Sequence, residues 1–237
     1  MEAGAEGVSV SAIHPDIREI PDRILSLALA ALCQANMHSA FMDPGTPYSP
    51  QIGILNAAHA GELFIKAIIA RQHPLLIFKE IFSLDDKSDN YPDIKTLIER
   101  GKTHDFEKLP QILWIAAGMR IPNPTSYEKV RKLRNAIQHF CVPEGENLWK
   151  IALEFIYTNI DPLIKKNFGI NAIEFHEDCQ YDHLVASIVR CQLTFSVPDN
   201  FDLTEVRLSE VAKGLEPAYR KWIESEMARI NRIDLLS

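Results

Sequence analysis

The chain has 237 residues, 46% of them apolar, which is enough to bury a substantial core and to fold without a partner. With 32 acidic against 25 basic side chains its net charge is −7, which excludes a generally basic nucleic-acid binder and confines any nucleic-acid contact to a local patch. The four cysteines, Cys33, Cys141, Cys179 and Cys191, are far apart and form no CxxC pair, the pattern of reduced thiols in a cytoplasmic protein.

Residues 1–20 are rich in Gly, Ala, Glu and Ser, with Glu2 and Glu6 where a secretory signal needs positive charge, so a flexible arm is predicted. Pro21 and Asp22 lead into RILSLALAALCQANMHSAF, a helix apolar enough to be buried on most sides and too short to cross a membrane. The prolines and glycine of MDPGTPYSP then break the chain.

Residues 51–72 read as helix again, with Ile54, Leu55, Ala58, Leu63, Phe64, Ile65, Ile68 and Ile69 covering nearly the whole circumference. Glu62 stands out, because a carboxylate among buried residues must be paired or protonated. An i,i+4 pair with Lys66 and a reach to Arg134 or His139 are both open to it. His59, one turn earlier, reads as a core histidine. His73-Pro74 ends this helix, LLIFKEIFSL reads as a short further one, Tyr91-Pro92 opens DIKTLIER, and Gly101 closes it. FEKLPQILWIAAGMRI follows as another apolar segment.

Residues 125–140, TSYEKVRKLRNAIQHF, form an amphipathic helix. At 100° per residue, Val130, Leu133, Ile137 and Phe140 fall within an arc of about 80° that packs inward. Beside that arc runs a polar strip: Arg134, Gln138, Arg131, Asn135 and His139. Arg134 and His139 stand about 140° apart, mark its two ends, and could hold a small anion between them. Thr125 or Ser126 is the expected N-cap, Pro122 and Pro124 oppose an earlier start, and Val142-Pro143 ends the helix. Lys129, Arg131, Lys132 and Arg134 make the best local basic patch in the chain.

Residues 146–168 carry Leu148, Ile151, Ala152, Phe155, Ile156, Ile160 and Leu163 at helical spacing, with Pro162 expected to bend or split the end. From Ile170 the character changes. Val189, Cys191, Leu193, Phe195 and Val197 alternate with polar residues, which predicts a half-buried strand, and residues 172–176 are a candidate to pair with it. Residues 203–236 read as two helices, with Gly214 as a C-cap and Pro217 in the first turn of the second. His176, Glu177, Asp178, Cys179, Asp182 and His183 are of metal-ligand type, yet their spacing matches no zinc pattern and no metal site is expected.

The segment LRNAIQHF resembles the signature of the HEPN superfamily, in which an Arg, a polar residue that is often Asn, three to five further residues and a His lie near a helix end. Arg134, Asn135 and His139 match it directly, and AHAGELFIKAIIARQHP is similar to the first core helix of such proteins. The resemblance covers about residues 20–168. It implies a mainly α fold: a HEPN-like helical bundle over residues 21–168, preceded by the arm and followed by an extension, residues 169–237, packed on it and open to a short strand or hairpin. It also implies metal-independent endoribonuclease activity at a site composed where two copies meet in a homodimer, with a toxin or host-defence role. Arg134, His139 and Asn135 would be catalytic and Glu62, Arg131 and Gln138 supporting, with no cofactor and no metal. RNA would be the substrate, with an antitoxin or regulatory protein as a further partner and no membrane. Some HEPN toxins carry a modified Tyr two residues after the His; Cys141 stands there, so regulation of that kind is not expected. The competing expectation is a non-catalytic HEPN-like dimer that binds nucleotide or a protein partner.

Overall fold

The computed structural model describes residues 15–41, 45, 47–80, 97, 100–139, 145–176 and 181–236, and the protein is mainly α. Residues 1–14 of the expected arm lie outside the described residues. Its last part is already structured: Pro15–Ile17 forms a 3-10 turn and Ile17 and Ile20 are buried in the core.

Helix α1 (Ile20–Ala40) begins with a proline in its first turn, where the missing N–H costs nothing. It buries Ala28, Ala31, Leu32 and Ala35 but leaves Leu27 62% exposed, so a helix expected to be covered on most sides is covered on one. The helix with few open positions is α2 (Ser49–Gln72), which buries 14 of its 24 residues. By length and composition α2 could cross a membrane, yet 67% of its most apolar window is buried inside the bundle. It is the central core helix. Around it pack α1, α3 (Leu109–Ala117), α4 (Pro124–His139) and α5 (Leu148–Phe155).

Over the described residues of LLIFKEIFSL, 75–80, the short helix expected there is confined to the 3-10 turn Pro74–Ile77. Phe78 then bridges antiparallel to Thr103, which brings the 100–105 segment against the end of α2. Residues 81–96 lie outside the described residues. A Cβ on Gly101 would come within 2.7 Å of the Phe78 ring, so this approach requires glycine.

The helix expected over 146–168 is present, and Pro162 acts in an unforeseen way. The turn before it, Ile156–Ile160, is π-helical and continuous with α5 and with α6 (Asp161–Phe168). The Asp161 N–H bonds back to the Ile156 carbonyl, five residues away, and this widened turn accommodates the proline ring that an α-turn would press against the preceding coil.

The predicted strand does not form. Val189 belongs to α7 (Tyr181–Arg190), Gln192 turns the chain at φ 55°, and residues 193–198 are neither helix nor strand and have no ladder partner among the described residues. The alternation is real over 193–197, where Phe195 and Val197 are buried and Thr194 is exposed. What it pairs with is a side chain. Asp161, itself buried, accepts the Ala172 N–H on Oδ1 (2.8 Å) and the Ser196 N–H on Oδ2 (2.7 Å), so the two segments expected to bond to each other both bond to one carboxylate. Residues 172–174 form a 3-10 turn. Asn36 of α1 ties the same region down, donating to the carbonyls of Ala172 (3.0 Å) and Phe175 (2.8 Å) while accepting from Tyr157 Oη (3.1 Å).

Asp182 repeats the device, its Oδ2 taking the N–H groups of Thr204, Glu205 and Val206. The tail then forms α8 (Leu208–Val211), a turn at Gly214 (φ 89°), and α9 (Pro217–Arg229), as its glycine and proline indicate, although the first helix begins five residues later than 203 and is a single turn. Ile173, Val185, Phe201, Tyr219 and Met227 join the same continuous core as the bundle.

Candidate functional site

Helix α4 carries the motif, and its start is fixed from outside. The N-cap is Asn123, not Thr125 or Ser126: its Oδ1 accepts the Ser126 N–H (3.1 Å), and Pro124 occupies the first helical position. Asn123 also donates its own N–H to Asn159 Oδ1 (2.8 Å) and its side-chain amide to Thr158 (3.2 Å), so α4 is seated on the π-helical turn. Tyr127, Val130 and Leu133 are buried and Ile137 half-buried, which is the predicted inward face. Phe140 and residues 141–144 lie outside the described residues. The Tyr127 hydroxyl donates to the Phe106 carbonyl (2.6 Å), and burial pushes its pKa far above the ordinary tyrosine value.

The polar strip faces water, with Asn135, Gln138 and His139 exposed and Arg131 and Arg134 half-buried. Most of the cations of α4 are matched by acids. Lys129 pairs with Glu146 (3.0 Å), and Lys132 with Glu128 (3.5 Å). Arg131 forks onto Glu128 at 2.7 and 2.8 Å and reaches Glu107 at 3.3 Å. That fork holds the Glu128 carboxyl at about 2, well below the usual glutamate range. Arg131 is therefore a structural partner of two glutamates in this arrangement. The basic patch read from the sequence is a set of balanced ion pairs.

Arg134 differs. Its Nη2 lies 3.5 Å from Glu62 Oε2, an ion-pair separation, while Glu62 Oε1 accepts a 2.6 Å bond from Lys66 Nζ. Lys66 in turn donates to Thr103 Oγ1 (3.0 Å). Both partners open to Glu62 in the sequence are thus engaged by its two oxygens. The Glu62 and Lys66 side chains are only 15% and 10% exposed, which strengthens their attraction over that of surface pairs. One carboxylate facing two cations leaves this trio with an excess positive charge, carried at the surface by Arg134.

Gly61 holds Glu62 in place. A Cβ there would lie 2.6 Å from the Phe155 ring, so the glycine lets α2 approach α5 closely enough to set Glu62 beside α4. His59 is exposed, contrary to the core role expected for it. It belongs to an open stripe of α2 with Ile52, Leu55, Asn56, Glu62 and Leu63, whose mixed polarity is the signal that Asn56 and Glu62 offered in the sequence. Of the metal-ligand types in the tail, residues 177–179 lie outside the described residues, Asp182 is engaged by backbone N–H groups, and His183 packs edge-on to Phe41 with centroids 6.3 Å apart.

Comparison with protein-family models, with curated proteins and with solved structures finds no match to this chain.

Proposed function

We propose that the chain is a metal-independent endoribonuclease of HEPN type, acting in the cytoplasm as a toxin or host-defence nuclease under the control of an antitoxin or regulatory protein. RNA supplies its own nucleophile in the ribose 2′-hydroxyl. A protein group takes that proton, O2′ attacks phosphorus, the P–O5′ bond breaks and O5′ receives a proton, leaving a 2′,3′-cyclic phosphate and a 5′-hydroxyl. His139 is the proton-transfer group, since histidine ordinarily titrates near pH 6.5. Arg134 binds the phosphate and the charge it gains in the transition state, and Asn135, one turn from His139, orients the ring or donates to phosphate. One chain supplies one such histidine while the reaction uses a base and an acid, so two copies facing across a two-fold axis make the full site.

The observation that supports this reading is the charge on Arg134, whose carboxylate partner is shared with Lys66, beside exposed Asn135 and His139. The pairing of Lys129, Arg131 and Lys132 favours a second reading, a non-catalytic dimer binding a single nucleotide phosphate, because it offers no extended basic track. Incubation of purified protein with RNA in excess EDTA separates the two. Cleavage by the parent and none by folded His139→Ala or Arg134→Ala supports the nuclease, whereas nucleotide binding without cleavage supports the alternative.

A further inference from the structure

We infer that Lys66 and Thr103, neither of which reaches the surface strip, are positioning residues that keep Arg134 available to an anion by restraining Glu62. The inference rests on the reading of Arg134 as a phosphate-binding group. Three distances carry it: Lys66 to Glu62 at 2.6 Å, Lys66 to Thr103 at 3.0 Å, and Glu62 to Arg134 at 3.5 Å. The short bond is the inner one. Glu62 is drawn towards the buried ammonium, and Arg134 keeps a looser ion pair without a direct hydrogen bond between the two groups.

The competing geometry is a closed fork between Glu62 and Arg134. A guanidinium presents a fork that fits a carboxylate with two parallel bonds, as Arg131 and Glu128 show on this same helix at 2.7 and 2.8 Å. Glu62 freed from Lys66 would close on Arg134 in that manner, neutralise it and occupy the donors a phosphate needs. Lys66 prevents this by competing for the carboxylate, and it can do so because Thr103 fixes its ammonium. Thr103 is itself fixed by its bridge to Phe78 and by flanking backbone bonds from Lys79 to Lys102 (2.7 Å) and from His104 to Ile77 (2.9 Å). The charge state of the site is therefore set one turn along α2, where Lys66 meets Thr103.

The test is equilibrium binding of a single-stranded oligonucleotide blocked at every 2′ position, so that it cannot be cut, to the full-length chain. The variants are Arg134→Ala, Lys66→Met, Thr103→Val and the double variant Lys66→Met with Glu62→Gln, each checked by thermal unfolding. Arg134→Ala is expected to weaken binding about tenfold. Lys66→Met is expected to approach that loss although it removes no group from the surface, and the double variant to recover most of it, because no carboxylate then remains to capture Arg134. Recovery on adding a second lesion is not what a packing role would give. If Lys66→Met binds like the parent, or the double variant binds no better than Lys66→Met, the inference is overturned while the phosphate reading of Arg134 stands. If Arg134→Ala binds like the parent, that reading itself fails and takes the inference with it. Should Lys66→Met not fold, Thr103→Val answers the question: a partial loss supports the inference and parental binding overturns it.

Discussion

Glu62 and Arg134 meet between α2 and α4 at 3.5 Å, and that contact joins the central core helix, 14 of whose 24 residues are buried, to the polar strip of α4. It is held from below by Lys66, whose side chain is 10% exposed. Removing the carboxylate leaves that ammonium almost out of water with a threonine as its remaining partner. Glu62→Ala is therefore expected to destabilise the fold by roughly 3 kcal/mol, read from urea unfolding, with part of the loss recovered when Lys66→Met is added. A loss below about 0.5 kcal/mol would mean that the pair is screened as an ordinary surface pair is.

The balanced cations of α4 are expected to behave unlike Arg134. Lys129→Ala and Lys132→Ala each remove a partner of Glu146 or Glu128 and leave the excess charge in place. Both should bind a blocked oligonucleotide within about twofold of the parent, against the larger loss for Arg134→Ala. Equal losses for all three would point to a diffuse basic surface.

Acid should open the Arg131–Glu128 fork only late, as the pH falls towards 2. Glu128 titrates at about 2 in the folded protein, below its ordinary 4.5, because Arg131 bonds its charged form. Its contribution is thus present above pH 4.5 and lost as pH falls towards 2. With the side chain 45% exposed, that contribution is under about 1 kcal/mol. Glu128→Gln should be slightly less stable than the parent at pH 7 and equal to it near pH 2, as followed by chemical denaturation; a constant difference across that range would place the effect outside this ion pair.

The aspartate staples of the tail give a local signature. Asp182→Ala leaves the N–H groups of Thr204, Glu205 and Val206 without their acceptor and should cost about 2–3 kcal/mol. Hydrogen exchange should quicken at those three amides first. Uniform quickening across the bundle would show that the tail and the bundle open together.

What could be read from the sequence divides along physical lines. The helices around Ile54, Val130 and Ile151 were legible because a 3.6-residue period and a buried face are properties of neighbouring residues. The inward face and polar strip of α4 followed from the same period, and both partners of Glu62 were among the options that spacing left open. The misreadings have a different origin. Residues 189–197 alternate as a strand does, but whether such a segment finds a ladder or a buried carboxylate depends on Asp161, far away in the chain. Asn123 is hidden as a cap because Pro124 reads as an obstacle to helix, although proline suits the first helical position. His59 reads as core because α2 is so apolar; the packing of α1, α3, α4 and α5 decides which stripe stays open. Nothing local marks Lys66 and Thr103 as partners, since a backbone bridge at Phe78 brings them together.

The most direct measurement is the chemistry of the RNA ends made by the purified protein in excess EDTA, on matched substrates with and without a 2′-hydroxyl at the cleaved position. A site built on Arg134 and His139 is expected to yield 2′,3′-cyclic phosphate and 5′-hydroxyl ends from the first substrate and nothing from the second, and to lose this activity in His139→Ala. Cleavage that ends on chelation, or that cuts the 2′-deoxy substrate equally well, would contradict it.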